Sequence, residues 1–449
     1  MRRALLTALV LFVTLPARAT AQQAPAPPTT SSMGTTAGPT SKSSRPLTIQ
    51  QAEAIAIKNN PQITVGRLRA LEAREFVREA RSALLPQVNL SVTAVDSDPG
   101  SRISAGYLTN PTVYPRAAAG ASVSQLISDF GRTQNLVSSS ISAAKAQDEN
   151  AVATQQQIVL AVDEAFYNTL ETKALLHVAE ETVTARQNLV DQIQALTDAK
   201  LRSDIDLSFS KVDLARAKLL LLESQDNYEA SLSTLSAILA FPDRQDFAVV
   251  EPVTQVTPPA ADPVPLIQEA LNQRPEVRAL QNDLTAATKF SKAEHDLRWP
   301  TVSASGVVGS APVRDDHISN WYGAVGVNIN IPVFNGFLFN ARAKSADLET
   351  EMQRKKLQDL QDNVARDVRN SWLDTQKAYE RLSVTKQLRE QAALALELAG
   401  ARYRLGLSSI VEFSQAELQE TDAELQDTDA HYQYLVTQIM LAYQMGITR

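Results

Sequence analysis

Ala324-Val325-Gly326-Val327-Asn328-Ile329-Asn330-Ile331 alternates without a break. In an extended chain Val325, Val327, Ile329 and Ile331 share one side, and Ala324, Gly326, Asn328 and Asn330 share the other. One face is wholly apolar and the other small or polar. Lipid on one side and water on the other produces this pattern over about ten residues; a half-buried soluble sheet produces it too. The alternation recurs at Val88, Leu90 and Val92 against Asn89, Ser91 and Thr93, and at Ala121 and Val123 against Ser122 and Ser124. Only the segment after Pro300 is blurred, by Gly306 and Val307-Val308. Strands are therefore predicted near 86–95, 117–127, 300–309 and 321–331. Tyr107, Tyr114, Trp321 and Tyr322 sit in or beside the connecting loops, where an interfacial aromatic girdle would lie.

Outward from these strands the chain changes period. From Arg132 to Phe241 there is neither Gly nor Pro, and none from Phe337 to Ala399. Ile158, Val162, Phe166 and Leu170, then Leu189, Ile193 and Leu196, follow helical spacing. These are narrow seams between Gln, Asp, Glu, Ser and Lys, suited to coiled-coil-like contacts with polar surface left over. A helix of some 65 residues is about 100 Å long, which no compact domain can bury. An antiparallel rod satisfies the helices alone; the strands are what a rod does not need.

The order of elements occurs twice. Ala56, Asn60, Pro61 and Ile63 recur as Ala270, Arg274, Pro275 and Val277, and Leu85-Pro86-Gln87-Val88 recurs as Trp299-Pro300-Thr301-Val302. Farther on, Gly131 pairs with Gly336, Phe166 with Trp372, and Asp206-Leu207-Ser208 with Glu412-Phe413-Ser414. The expected division is a first repeat at 47–250, a Pro-rich linker at 251–264 and a second repeat at 265–449. Each repeat predicts a short helix, a helix opened by Pro61 or Pro275, a strand, a loop, a second strand and long helices.

The N-terminus reads as a signal peptide over 1–21, with Arg2 and Arg3, an apolar stretch from Ala4, and Ala19-Thr20-Ala21 before Gln22. Residues 22–46 are a Pro/Ser/Thr-rich leader expected to be disordered. No later segment has the roughly 18 consecutive apolar residues of a spanning helix. An exported chain without one is soluble outside the cytoplasm or a β-barrel.

Composition removes other functions. The chain of 449 residues carries a formal charge of −7 with no basic block, which argues against nucleic acid as a partner. It has no cysteine, excluding disulfides, thiolate metal sites, a Cys nucleophile and a lipid anchor on a mature N-terminal Cys. His177, His295, His317 and His431 are scattered, and Asp427 with His431 reads as a solvated i, i+4 pair. There is no P-loop, so neither an enzyme nor a cofactor is expected.

Four strands cannot close a membrane barrel alone, since the smallest bacterial ones have about eight. Copies must pool strands, and this arithmetic leaves two copies and three equally open.

The chain resembles the TolC family of outer-membrane efflux and secretion ducts. The resemblance runs from about Leu47 to Gly446 and rests on the duplication, the two strand starts, the Asp129-Phe130-Gly131 and Phe334-Asn335-Gly336 returns, and Arg402-Tyr403-Arg404-Leu405-Gly406-Leu407. It implies a mainly α fold with a small β part. Very long antiparallel helices would form a periplasmic α-barrel, and four antiparallel strands per chain would contribute to a trimeric 12-stranded transmembrane β-barrel. It further implies a homotrimer in outer-membrane lipid, docked to a periplasmic adaptor and, through it, to an inner-membrane RND, ABC or MFS transporter. The alternative is a structural periplasmic coiled coil or an adaptor protein.

Such ducts resemble one another in closing at the helix tips, here near Leu201 to Asp206 and Leu405 to Glu412. The family's latch carries over to Tyr403 bonding Asp206, and its acidic ring to Glu412; the acidic chain itself leads to the expectation of a cation-favouring entrance at Asp206 and Glu412. Ser408 stands where the family latch has an arginine, Gln415 where it has a second acidic residue, and Lys200 where the second repeat has Gly406. The plainer alternative has Tyr403 packing at a helix end and Asp206 capping the next helix.

Overall fold

The computed structural model describes residues 45–96, 102–105, 108–112, 116–252, 256–312 and 319–447. Tyr107, Tyr114 and His317 lie outside the described residues.

The elements run β1 (Arg45–Leu47), α1 (Ile49–Asn59), α2 (Pro61–Ser82), β2 (Gln87–Val95), β3 (Arg102–Ala105), β4 (Leu108–Thr112), β5 (Arg116–Ser128), α3 (Arg132–Asp198) and α4 (Asp204–Ile238). They continue with β6 (Phe247–Val249), α5 (Pro263–Gln273), α6 (Pro275–His295), β7 (Thr301–Ser310), β8 (Trp321–Asn330), α7 (Leu338–Arg404) and α8 (Ile410–Gln444). Lengths match between halves. Helices α1 and α5 have 11 residues each, α3 and α7 have 67 each, and α4 and α8 have 35 each. At about 1.5 Å per residue, α3 and α7 each run for about 100 Å. The first half carries one addition, the β3–β4 hairpin, in a stretch expected to be plain loop.

Local chemistry sets the helix starts. Thr48 and Gln51 form a capping box at α1, Asn60 caps α2 ahead of Pro61, and Asp262 caps α5 ahead of Pro263. Pro275 likewise opens α6. The returns from strand to long helix use two consecutive left-handed residues, Phe130-Gly131 before α3 and Gly336-Phe337 before α7. Gly131 therefore corresponds in place to Phe337, not to Gly336. Matching glycine to glycine shifted the pairing by one residue.

Strands β2, β5, β7 and β8 form one antiparallel sheet in the order β2-β5-β7-β8. Its register sorts the side chains into two faces, because directly opposed residues share a side. Val88, Leu90, Val92, Ala119, Ala121, Val123, Val302, Ala304, Val308, Val325, Val327 and Ile329 lie on one face. Asn89, Ser91, Thr93, Ser122, Ser124, Ser303, Ser305, Asn328 and Asn330 lie on the other. The apolar face has no cover among the described residues: Leu90 is 83% exposed and Val325 91%. Val307 breaks the polar face, which is why this strand looked blurred in sequence. A bulge at Ile127 ends the β5–β7 ladder next to the helix.

Near the sheet, helix neighbours run α2–α3–α6–α7; toward the far turns they run α4–α3–α8–α7. Cores are thin. The largest brings α1, α3, α4 and α8 together with the parallel β1–β6 pair around Phe166, Leu235 and Leu435. Helix α7 buries eleven of its 67 residues, five of them Ala, so most of its surface is left for solvent or other chains. Among the described residues no helix is long and apolar enough to cross a membrane.

Candidate functional site

The turns α3–α4 and α7–α8 lie side by side at the end far from the sheet. Both helix ends close with the same pattern of carbonyl bonds: Leu201 N–H to Leu196 O at 2.8 Å and Lys200 N–H to Thr197 O at 2.9 Å. At the second turn Leu407 N–H reaches Arg402 O at 2.8 Å and Gly406 N–H reaches Tyr403 O at 3.0 Å. Such an end needs a left-handed residue just past the helix. Gly406 takes φ 71°, and Lys200 takes the same conformation, φ 59°, with a side chain attached.

Tyr403, in the last turn of α7, is buried in a cluster with Val190, Ile193, Leu207, Leu214 and Ile410. Its ring stacks on Phe413 with centroids 5.5 Å apart and planes 2° from parallel. The Arg202 guanidinium carbon lies 4.2 Å from its centroid, and Arg202 Nη2 donates to the Tyr403 carbonyl at 2.7 Å. The Tyr403 hydroxyl donates to Asp206 Oδ2 at 3.4 Å. Burial raises the Tyr403 phenol above its ordinary value, and the Asp206 carboxylate pushes the same way, so the phenol stays a donor.

Asp206 does not cap α4. Ser203 does, accepting from Ile205 N–H at 3.2 Å, while Asp206 occupies the first turn beside the helix's positive end. Glu412 occupies the matching place on α8, capped by Ser409, and pairs with Arg402 at 3.0 Å. The structure thus brings Tyr403 and Asp206 together and gives Glu412 a neighbour of opposite charge. Arg202 was not named in the sequence reading, and Arg402 and Phe413 were quoted there only within motifs, without a role at the tips. Arg402 beside the tip tyrosine was the available signal for one of the three.

Above the tips, α3 and α8 share a buried polar seam. Arg186 forms an ion pair with the Glu417 carboxylate, and its Nη2 donates to the Glu417 carbonyl at 3.0 Å and to the Thr421 hydroxyl at 3.3 Å. Ser414 donates to Asp213 of α4 at 2.6 Å. Burial lifts the Glu417 carboxyl to about 7, with Arg186 opposing and Asp213 and Glu420 reinforcing.

At the sheet, strand alternation separates two expected girdle residues. Trp321 stands on the apolar face and Tyr322 on the polar one, where its ring lies across Gly309 and reaches Gly120. Asp427 and His431 do not bond each other. Asp427 pairs with Arg389 at 3.0 Å, and His431 faces Glu251 at 3.7 Å. Among the described residues no cluster of side chains could hold a metal ion.

The outer membrane efflux protein family model matches residues 54–240 and 266–446. Outer membrane protein TolC of Escherichia coli (strain K12) is 24% identical over 412 residues, spanning 86% of this chain and 80% of that one. Cation efflux system protein CusC of the same strain is 22% identical over 413 residues, spanning 87% and 84%. The solved structure of outer membrane protein VceC from Vibrio cholerae superposes with a TM-score of 0.76 at 20% identity, covering 89% of this chain and 96% of that one. Matched in both halves and over most of its length, the chain belongs to the outer membrane efflux protein family.

Proposed function

We propose that three copies of this chain form a passive duct through the outer membrane, fed by an inner-membrane transporter through a periplasmic adaptor. The observation that carries this reading is the sheet: four strands, one face predominantly apolar and uncovered among the described residues, with Gln125 and Ser310 its polar members, and bare backbone on both edges, β2 and β8. A sheet with an uncovered apolar face and open edges is stable where lipid takes the face and another chain takes each edge. Joining β8 of one copy to β2 of the next closes a barrel.

The helices carry the same arrangement. Outermost α4 exposes Ile205, Phe209, Val212, Leu219 and Leu222, and outermost α7 exposes Val384, Leu388, Leu394 and Leu398. These spacings are helical seams lacking a partner. A head-to-tail ring sets α7 of one copy against α4 of its neighbour and satisfies sheet and helices with one rotation. Three copies give twelve strands, an even number above the minimum of about eight.

In the closed duct Tyr403 and Asp206 act as a latch between tips, Glu412 lines the entrance, and Trp321 anchors the lipid interface. Cargo follows the pump, since relatives carry names as different as toluene efflux and cation efflux. A structural rod explains neither the bare sheet edges nor the uncovered apolar face. Native mass spectrometry of detergent-extracted protein tests the assembly. Three copies, with heat-modifiable migration on a gel, is the expected result, and a monomer released in osmotic shock fluid would overturn it.

A further inference from the structure

Two charges lie where the helix seam ought to be dry. Of the buried residues of α8 at this level, Ile410, Ser414, Glu417 and Thr421 are spaced four, three and four, which is the rhythm of a coiled-coil core, with Ala416 buried beside them. Three of the four in this series are polar. Arg186 of α3 enters the same layer, and its side chain and that of Glu417 are each 7% exposed.

All the partners of Arg186 come from one turn of α8: the Glu417 carboxylate, the Glu417 carbonyl and the Thr421 hydroxyl. The guanidinium therefore grips α8 at a single register. Arg186 holds the Glu417 carboxylate through Oε1, and buried Oε2 has no hydrogen-bond partner among the described residues, so the carboxylate hangs on this one cation. Ser414 of α8 bonds Asp213 of α4 in the same stretch, tying α8 to both helices of the first pair. A buried ion pair adds little to stability compared with well-packed apolar residues, but separating its members strands a charge. Polar groups in helix cores are best attested as devices that fix register.

We propose that Arg186 and Glu417 are positioning residues of the gate: a second latch, behind the Tyr403–Asp206 contact, that holds α8 in one register against α3 in the closed duct. The inference rests on the gate reading above. A slide of one turn, about 5.4 Å, carries Glu417 and Thr421 out of reach of Arg186 together. The seam then has two states and no gradual path between them.

Single-channel conductance of the full-length oligomer in planar bilayers tests this. Arg186→Met raises the mean conductance of the closed duct severalfold, and Arg186→Lys, which keeps the charge, restores most of the closure. The chain has no cysteine, so Arg186→Cys with Glu417→Cys, joined by a short bis-maleimide, reads this seam alone. The bridged protein stays at low conductance even when Tyr403→Phe and Asp206→Ala are added. If those two tip changes raise conductance while Arg186→Met and the bridge alter nothing, the second latch is overturned and the gate stands. If none of the variants changes the conductance of inserted oligomers, the gate reading falls and the latch with it.

Discussion

Arg402 reaches across the α7–α8 turn to Glu412, Nη1 to Oε1 at 3.0 Å, so Glu412 carries its own counter-charge. Both side chains are largely exposed, and such a pair contributes at most about 1 kcal/mol to stability. Its larger effect is on the local field at the helix tips.

Arg402→Gln leaves Glu412 uncompensated and is expected to increase cation preference. Reversal potentials across a salt gradient, wild type against variant, measure it. A shift toward anions would sink the assignment of Glu412 to the entrance.

The phenol of Tyr403 bonds a carboxylate, a type of contact worth about 1.5–3 kcal/mol, and at 3.4 Å the lower end applies. Tyr403→Phe is therefore expected to raise the open fraction by roughly tenfold. Phe keeps the stacking on Phe413, so thermal stability should barely move.

Lys200 and Gly406 offer a comparison within one chain. Lys200→Gly relieves a left-handed side chain and is expected to stabilise the α3 end by about 0.5–1 kcal/mol. Gly406→Ala costs about the same, and only through the backbone, because an added Cβ there meets nothing within 4 Å. Thermal melts of the two variants should move in opposite directions.

On the polar face of the sheet, a Cβ on Gly309 would come within 2.5 Å of the Tyr322 hydroxyl and 2.7 Å of the Ala119 carbonyl. Gly309→Ala is expected to cost about 1–3 kcal/mol and to lower the temperature at which the oligomer dissociates in detergent. Adding Tyr322→Ala should restore only part of it, since the carbonyl remains.

Glu417 binds its proton more tightly when buried, near 7 against 4.5 in the open chain. The folded state then holds more protons than the unfolded one between these values, so this group's contribution to stability falls as pH rises from about 4.5 to 7. Arg186 on α3, Asp213 on α4 and Glu420 on α8 face the carboxyl, and Glu397 and Arg404 of α7 line the same cleft. Glu417→Gln should flatten the melting temperature across that window. An unchanged pH slope would remove Glu417 as its source.

Much of this architecture is written in local pattern. The run from Arg132 without Gly or Pro foretells α3, and alternation at Val325 to Ile329 foretells β8, because both depend on neighbours three or two residues away. Tyr403 and Asp206 could be named as a pair from resemblance, but Arg202 over the Tyr403 ring could not, since that contact crosses between two turns far apart in sequence. Arg186 was legible in principle: it interrupts an inward series containing Ala179, Val190 and Ile193. Its partner was not, because pairing depends on how far α8 is shifted along α3. Tyr322 joined Trp321 in the expected girdle because both are aromatic; strand pleating sends them to opposite sides.

The polar side of the sheet has a consequence for transport. In the strand pairings from Gln87 to Val92, Ala118 to Ser124, Thr301 to Gly309 and Tyr322 to Asn330, its residues are amides, hydroxyls, glycines and a few small or apolar groups, with no ionised side chain. Closed into a barrel, this stretch offers a passing ion neutral dipoles and bulk-like water but no fixed countercharge. Potassium and chloride should traverse it with mobilities close to those in free solution. Discrimination by charge then falls to residues outside this stretch, which sorts by girth alone.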